Sequence, residues 1–320
     1  MSINAPDRFI ERYQSIVDDP DAFFAALEIY PPKSFRANTL KTSGNEVAER
    51  FERYGIELER MKWYSDAFVS PDHEAPGKTL EHFLGNIYIQ ELPSMLPPLL
   101  VREEVRDAPL VIDACAAPGS KTTQLAAFMN NTGTLVANDI DYTRIKALKF
   151  NVEKSGAFNT IITNQDFRFY PKLGPKVILL DAPCSSEGTI RKNADALSFW
   201  SEKRIIGHSN LQRNLIIKAY DVLAPGGILV YSTCTFAPEE NEIVLQHLLE
   251  KRQDANILKI DIPHFNLAPS VKSWAGIDFS SKIQNAKRVW PHHNNTGGFF
   301  LAKIFKPVSE VKTSTSEVSS

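Results

Sequence analysis

From about residue 109 onward the chain repeats one pattern: a short apolar run rich in β-branched residues, then a longer stretch of helical periodicity. Few folds accept this. An apolar run without alternation must be buried on both faces, so it lies inside a parallel sheet with helices packed on either side, the form of repeated βα units. Strands are predicted at Leu110 to Ala114, Thr134 to Asn138, Thr160 to Thr163, Val177 to Asp181 and Ile228 to Ser232, with helices at about 119–130, 141–155, 200–223 and 238–251. Pro225-Gly226-Gly227 ends the fourth helix and turns the chain into the next strand. Phe-Phe-Leu-Ala-Lys-Ile-Phe within Gly298 to Phe305 predicts a final strand.

Before residue 109 the pattern changes. A helical, partly acidic opening runs to about Leu27, a strand-like Ser34-Phe-Arg-Ala-Asn-Thr-Leu40 follows, then a helix near Asn45 to Tyr54. These predict a small α+β domain over residues 1–90, joined by the Pro-studded connector Glu91 to Leu100 to the sheet domain over 91–306. The Ser, Thr, Val and Glu rich residues 307–320 are expected to be a flexible tail. The 320 residues carry 36 Lys plus Arg against 38 Asp plus Glu, so no charge excess announces a nucleic-acid partner. No apolar run nears the roughly 20 residues of a membrane span, and the opening lacks a basic segment leading into an apolar one. A cytoplasmic location is the expectation. Three cysteines argue against a secreted disulfide scaffold and allow free thiols.

The first strand of the sheet domain runs into Asp113-Ala-Cys115-Ala-Ala-Pro-Gly119-Ser-Lys121-Thr-Thr. Small residues between a strand and a helix let a ligand approach the backbone and the positive helix end. A phosphate-cradling loop needs glycines where Cys115 and Ser120 stand, and no Gly-x-Gly-x-x-Gly occurs, so nucleoside triphosphatase and dinucleotide readings fail. Three acids follow the next three predicted strands: Asp139, Asp166 and Asp181. Such acceptors suit an adenosyl ligand with ribose hydroxyls, an exocyclic amine and a cationic amino-acid end.

Two loops each carry a cysteine just beyond a predicted strand: Asp181-Ala-Pro-Cys184-Ser-Ser-Glu-Gly188 and Tyr231-Ser-Thr-Cys234-Thr-Phe. Both thiols should therefore emerge at the carboxyl edge of one sheet, where open α/β sheets bind ligands. Helix starts at about 190 and 238 are expected to help acidify them. No Cys-x-x-Cys or paired-His spacing supplies a zinc site; His292 and His293 are adjacent and read as loop residues near substrate.

Cys-Ala-Ala-Pro-Gly-Ser-Lys-Thr-Thr-Gln, Asp-Ala-Pro-Cys-Ser-x-x-Gly-x-x-Arg-Lys and Tyr-Ser-Thr-Cys-Thr-x-x-x-x-Glu-Glu-Asn-Glu, in that order, resemble the Sun/RsmB-type RNA cytosine-5 methyltransferases. The resemblance spans roughly Ser34 to Lys306 and includes Gly85-Asn-Ile-Tyr-Ile-Gln-Glu-Leu-Pro-Ser-Met-Leu. It implies a Rossmann-like methyltransferase sheet, mostly parallel with an antiparallel last strand, and a small N-terminal RNA-binding module that includes Arg36 and Lys41. It also implies S-adenosyl-L-methionine as cofactor, held by Cys115, Ala116, Ala117, Pro118, Gly119, Ser120, Lys121, Asp139, Arg144, Asp166 and Asp181. The family often has a basic residue where Arg144 stands, and Gly is common where this chain has Ser120.

Carbon 5 of cytosine becomes nucleophilic only after a thiolate adds to carbon 6, and the C5 proton must later leave. Two thiols can divide these steps, in either order by chemistry alone. The resemblance assigns attack to Cys234 and product release to Cys184, with Asp181 near ring N3. Basic residues in 189–218 and 272–306, interleaved with Phe199, Trp200, Trp274 and Trp290, are the expected RNA-facing stretches. The absence of a long carboxyl-terminal addition resembles compact tRNA-modifying monomers; an rRNA substrate, a DNA methyltransferase and a non-catalytic RNA chaperone are the rivals.

Overall fold

The computed structural model describes residues 5–71 and 74–308, so residues 309–320 of the expected flexible tail lie outside the described residues. Helices α1 (Asp7–Gln14) and α2 (Pro20–Leu27) open the chain. A four-stranded antiparallel sheet follows, built from β1 (Lys33–Ala37), β2 (Glu59–Arg60), β3 (Ala67–Ser70) and β4 (Ile87–Ile89) in the order β2-β3-β1-β4. Helix α3 (Gly44–Arg53) covers it, started by a capping box in which Ser43 and Glu46 satisfy each other's backbone N–H. Phe35, Phe51 and Phe68 stack as its core. The strand expected to reach Leu40 stops at Ala37, because Asn38 turns inward to donate to the carbonyls of Gly85 and Ser155.

The large sheet contains β5 (Leu110–Asp113), β6 (Thr134–Asn138), β7 (Thr160–Thr163), β8 (Val177–Asp181), β9 (Ile228–Thr233), β10 (Asn256–Leu258), β11 (Ala268–Pro269), β12 (Lys287–Val289) and β13 (Phe299–Phe305). Its order is β11-β12-β13-β9-β8-β5-β6-β7, with β10 also on β13. Strands β5 to β9 are parallel, whereas β13 runs antiparallel to β9, as the resemblance implied. Every residue of β9 and the first four of β8 are buried, which explains their unbroken apolar runs. Helices α4 (Ser120–Phe128), α5 (Tyr142–Ser155), α6 (Glu202–Val222) and α7 (Glu242–Lys251) complete the layers. After β5 the chain builds outward through β6 and β7, then returns to the other side of β5 with β8. That reversal opens a crevice at the carboxyl ends of β5 and β8, the usual place for a ligand.

Two expectations change. The connector Glu91 to Leu100 is two buried helical turns, Leu92–Met95 and Leu96–Leu99, in which Pro occupies opening positions where no N–H is needed. Helices α1 and α2 pack on the large domain: Phe9, Tyr13, Phe23 and Leu27 join Ile190, Leu197, Phe236 and Trp290 in one cluster. Among the described residues, no helix is long and apolar enough to cross a membrane.

Candidate active site

Both cysteine loops leave the carboxyl edge of adjacent parallel strands, β8 and β9, in register at Asp181 and Ser232. The loops converge, and Cys184 Sγ lies 3.3 Å from Cys234 Sγ. Their environments differ. The hydrogen bond that Cys184 donates lowers the pKa of Cys234, with Ser186 and Lys121 adding to the effect against burial and Asp181. The same bond pushes the Cys184 thiol up, assisted by burial and by the charges of Glu240 and Asp181. The expected helix starts have no part in this: the first loop enters only the single turn Glu187–Thr189, and α7 begins at Glu242, eight residues past Cys234.

A reciprocal pair of buried carboxylates joins the loops. Glu187, from the first, accepts from Thr235 Oγ1 (2.7 Å) and Phe236 N (3.1 Å) of the second. Glu240, from the second, accepts from Ser185 N (3.0 Å) of the first. Ser185 and Thr235 hydroxyls bond at 2.8 Å, and Gly188 N donates to the Cys234 carbonyl. Tyr13 Oη and Trp200 Nε1 also donate to Glu187. Neither glutamate was among the candidates read from the sequence, although each lies inside a quoted motif. For Glu187 the available signal was an acid in a loop of small and neutral residues; Glu240 stands among Glu239, Asn241 and Glu242, where nothing local marks it out.

Asp181 shares a cavity wall with both thiols. Its Oδ2 pairs with Lys121 Nζ at 2.6 Å and its Oδ1 accepts from Ser232 Oγ at 2.7 Å. Two cavities, each of about 410 Å³, share Cys115, Ala117, Arg144, Asp181 and Cys234 in their walls. The first also carries Asp139, Asp166, Asn138, Gln165 and Cys184 over an apolar floor that includes Leu211 and Leu215. The second carries Gln90, Glu91, Lys121, Lys192 and Phe299. One cavity can therefore hold a donor and the other an acceptor, with Cys234 in both walls and Cys184 in the first.

The loop expected to hold the cofactor is divided between these cavities: Cys115 and Ala117 face both, while Ala116, Pro118, Ser120 and Lys121 line the second. Gly119 turns the loop into α4 with φ of 105°, a left-handed value that favours glycine. Asp139 is almost fully buried; it accepts from Ala117 N (3.0 Å) and Asp141 N (2.9 Å) and pairs with Arg144 at 3.3 Å. Arg144 also donates to the Ala117 carbonyl. Asp166 lies three residues past the end of β7, where it caps the turn Phe167–Phe169 and binds Arg168, which lowers its pKa. Burial pushes the Cys115 thiol up, away from reactivity. An acceptor-rich wall over an apolar floor fits a ligand bearing hydroxyls, an amine and a cationic centre, once Asp166 exchanges Arg168 for it.

Several residues expected at an RNA surface are elsewhere. Arg36 is fully buried, donating to Gln90 Oε1, the Ser120 carbonyl and Thr123 Oγ1. Lys41, by contrast, stays exposed while it donates to the carbonyls of Leu84 and Lys154. Arg191 is buried against Ile29, Asn295 and Thr296, and Arg288 is buried on Glu242. Trp290 is core, Trp200 and Trp274 are half-buried with their indole N–H groups on Glu187 and Glu239, and Phe199 is exposed. His292 and His293, expected in a loop near substrate, lie in the turn Pro291–Asn294 and bond Asp18 at 3.0 and 2.8 Å, lining neither cavity.

Comparison with known proteins agrees with this architecture. Residues 101–305 match the family model described as 16S rRNA methyltransferase RsmB/F, and residues 5–92 match that of the N-terminal domain of 16S rRNA methyltransferase RsmF. The chain is 38% identical over 317 residues to a ribosomal RNA small subunit methyltransferase F of Vibrio atlanticus, covering 96% of this chain but 65% of the relative's length. It is also 38% identical over 306 residues to a tRNA (cytosine(49)-C(5))-methyltransferase of Pyrococcus abyssi, covering 94% of this chain and 96% of that one. The crystal structure of a methyltransferase homolog protein from Pyrococcus horikoshii superposes with a TM-score of 0.84 at 34% identity, over 95% of this chain and 96% of the other. With these matches running along both of its parts, the chain belongs to the RsmB/F methyltransferase family.

Proposed function

We propose that this protein transfers a methyl group from S-adenosyl-L-methionine to carbon 5 of a cytosine in tRNA, as a cytoplasmic monomer. The observation that carries the reading is the thiol pair, 3.3 Å apart, with Cys234 in the walls of both cavities and Cys184 in that of the first. The first cavity takes the cofactor between Asp139, Asp166, Asp181, Arg144 and the Cys115 and Ala117 of the loop from Cys115 to Lys121; Ala116, Pro118, Ser120 and Lys121 face the second cavity, and Gly119 turns the loop into α4. When bound, that cofactor supplies an electrophilic methyl group.

The second cavity takes a cytosine removed from its stack, since neither thiol can reach a base inside a duplex. Cys234, whose pKa is lowered, adds as thiolate to carbon 6. Electron density moves into the ring, N3 takes up the proton that Cys184 gives up by way of Asp181, and the Asp181 carboxylate then accepts a hydrogen bond from N3–H where the charge develops. Once carbon 5 carries the methyl group, Cys184 takes the C5 proton. The electrons of the C–H bond restore the double bond, the bond from carbon 6 to sulfur breaks, and Cys234 leaves as thiolate. Cys184 suits this step because its raised pKa makes its thiolate the stronger base. Its own proton has by then passed by way of Asp181 to N3, because Cys234 is bound to carbon 6 and cannot accept it.

A tRNA substrate is supported by the 38% identity, along 94% of this chain, to the Pyrococcus abyssi tRNA (cytosine(49)-C(5))-methyltransferase. Bisulfite sequencing of total RNA with and without the gene tests substrate and chemistry together. A 5-methylcytosine lost from tRNA is expected; loss from rRNA alone would move the assignment there, and no loss in any RNA would overturn it. On RNA containing 5-fluorocytosine, Cys234→Ala should abolish the covalent adduct, while Cys184→Ala should still form one. Exchange of those two results would reverse the thiol assignment.

A further inference from the structure

Two chemically identical groups in contact need a reason to act differently. Asp181 opposes ionisation of both thiols, and the Lys121 cation favours that of Cys234. Glu240 differs from these because its charge is among the leading influences on Cys184 and is not among those on Cys234. It is wholly buried, and its Oε2 accepts from Ser185 N at 3.0 Å and from Gln212 Nε2 at 2.8 Å. The same Gln212 nitrogen donates to the Pro183 carbonyl at 2.8 Å. Glu240 and Gln212 thus grip the residues on both sides of Cys184. The other oxygen, Oε1, has no hydrogen-bond partner among the described residues. An acceptor left unpaired in the interior costs stability, so it calls for a functional account.

We propose that Glu240 is the positioning residue that makes the thiols unequal: its buried carboxylate, set behind Cys184 through Ser185 and Gln212, holds the pair's proton on Cys184 and leaves Cys234 as the nucleophile. The inference rests on the reading of the two thiols given above. An anion in low dielectric penalises a second anion nearby far more than it would in water, and the penalty falls on the nearer thiol. The device depends on pH. Burial, with the charge of Glu187, lifts the Glu240 carboxyl to about 7, against the hydrogen bonds from Ser185 and Gln212. Above that pH the carboxylate is charged and the thiols are set apart; below it Glu240 is neutral and the bias fades. Tyr231, which also faces this group, keeps its phenol protonated because burial and the charge of Glu240 push its pKa up.

The test uses the full-length protein without RNA. Iodoacetamide labelling is followed by mass spectrometry of the two cysteine peptides from pH 6 to 9. Because Cys184 is the less exposed thiol, the readout is how the ratio of Cys234 to Cys184 labelling changes with pH. In the wild type that ratio should rise on the order of tenfold through about pH 7, as a shift of about one pKa unit requires. In Glu240→Gln the rise should disappear. Gln212→Met keeps the carboxylate but removes a donor to it, so the midpoint should move upward; this variant serves if Glu240→Gln does not fold. A ratio indifferent to pH in the wild type, or unchanged in both variants, would overturn the proposal. Failure of the functional reading would look different: wild-type protein would form no adduct on 5-fluorocytosine RNA, whatever the labelling ratio.

Discussion

Asp113 closes β5 with its carboxyl sealed inside the protein, one oxygen held by Thr122 Oγ1 at 2.7 Å and the other without a partner among the described residues. Burial lifts its pKa to about 7, whereas an unfolded aspartate releases its proton near 3.8. Between those values the folded chain holds a proton that the unfolded chain has lost, so stability declines as pH rises towards 7 and levels off above it. Asp113→Asn removes that decline. Its advantage over the wild type should be about 1–3 kcal/mol larger at pH 8 than at pH 5, measured by urea unfolding at both. At this scale the sequence was informative about residue type and silent about surroundings. Asp181, Cys184 and Cys234 stood out because their loops are short and polar after apolar runs. Arg36 misled because its burial depends on Gln90 and Thr123, far along the chain.

Among the elements, the long buried strands were the most legible. The spans expected for β6, β7 and β8 coincide with those observed: an apolar run between turn residues reads as a strand whether it is internal, as β6 and β8 are, or at the sheet edge, as β7 is. Strands β10, β11 and β12 were not foreseen, because two or three residues carry no periodicity. The crossing of the cysteine loops was equally hidden. Gly188 lies against the backbone of Gly298 and Cys234; a Cβ there would stand 2.2 Å from the Gly298 carbonyl oxygen and 2.9 Å from that of Cys234. Neither neighbour is a flexible side chain, so Gly188→Ala must push the loops apart. A stability loss of about 1–3 kcal/mol is expected. Adduct formation on 5-fluorocytosine RNA should slow by about 100-fold, because misplacing reacting groups by even 1 Å costs that much.

In the whole molecule, α1 and α2 form part of the catalytic body through Tyr13, whose hydroxyl donates to Glu187 at 2.6 and 2.7 Å. Tyr13→Phe keeps the ring in its aromatic cluster and removes only that bond. Losing a buried hydrogen bond to a carboxylate should lower stability by about 1–3 kcal/mol in urea unfolding. The rate of adduct formation should fall with it, because Glu187 also holds the Cys234 loop. The sequence by itself determined the parallel sheet, the edge where both thiols emerge and the acids beside them, because burial on two faces and short loop motifs are local properties. Only the tertiary structure decided that the two thiols meet in unequal surroundings, that Arg36 and Arg191 are interior, and that the first two helices brace the cysteine loops. Those outcomes depend on desolvation and charge summed over segments distant in the chain, and no stretch of sequence carries that sum.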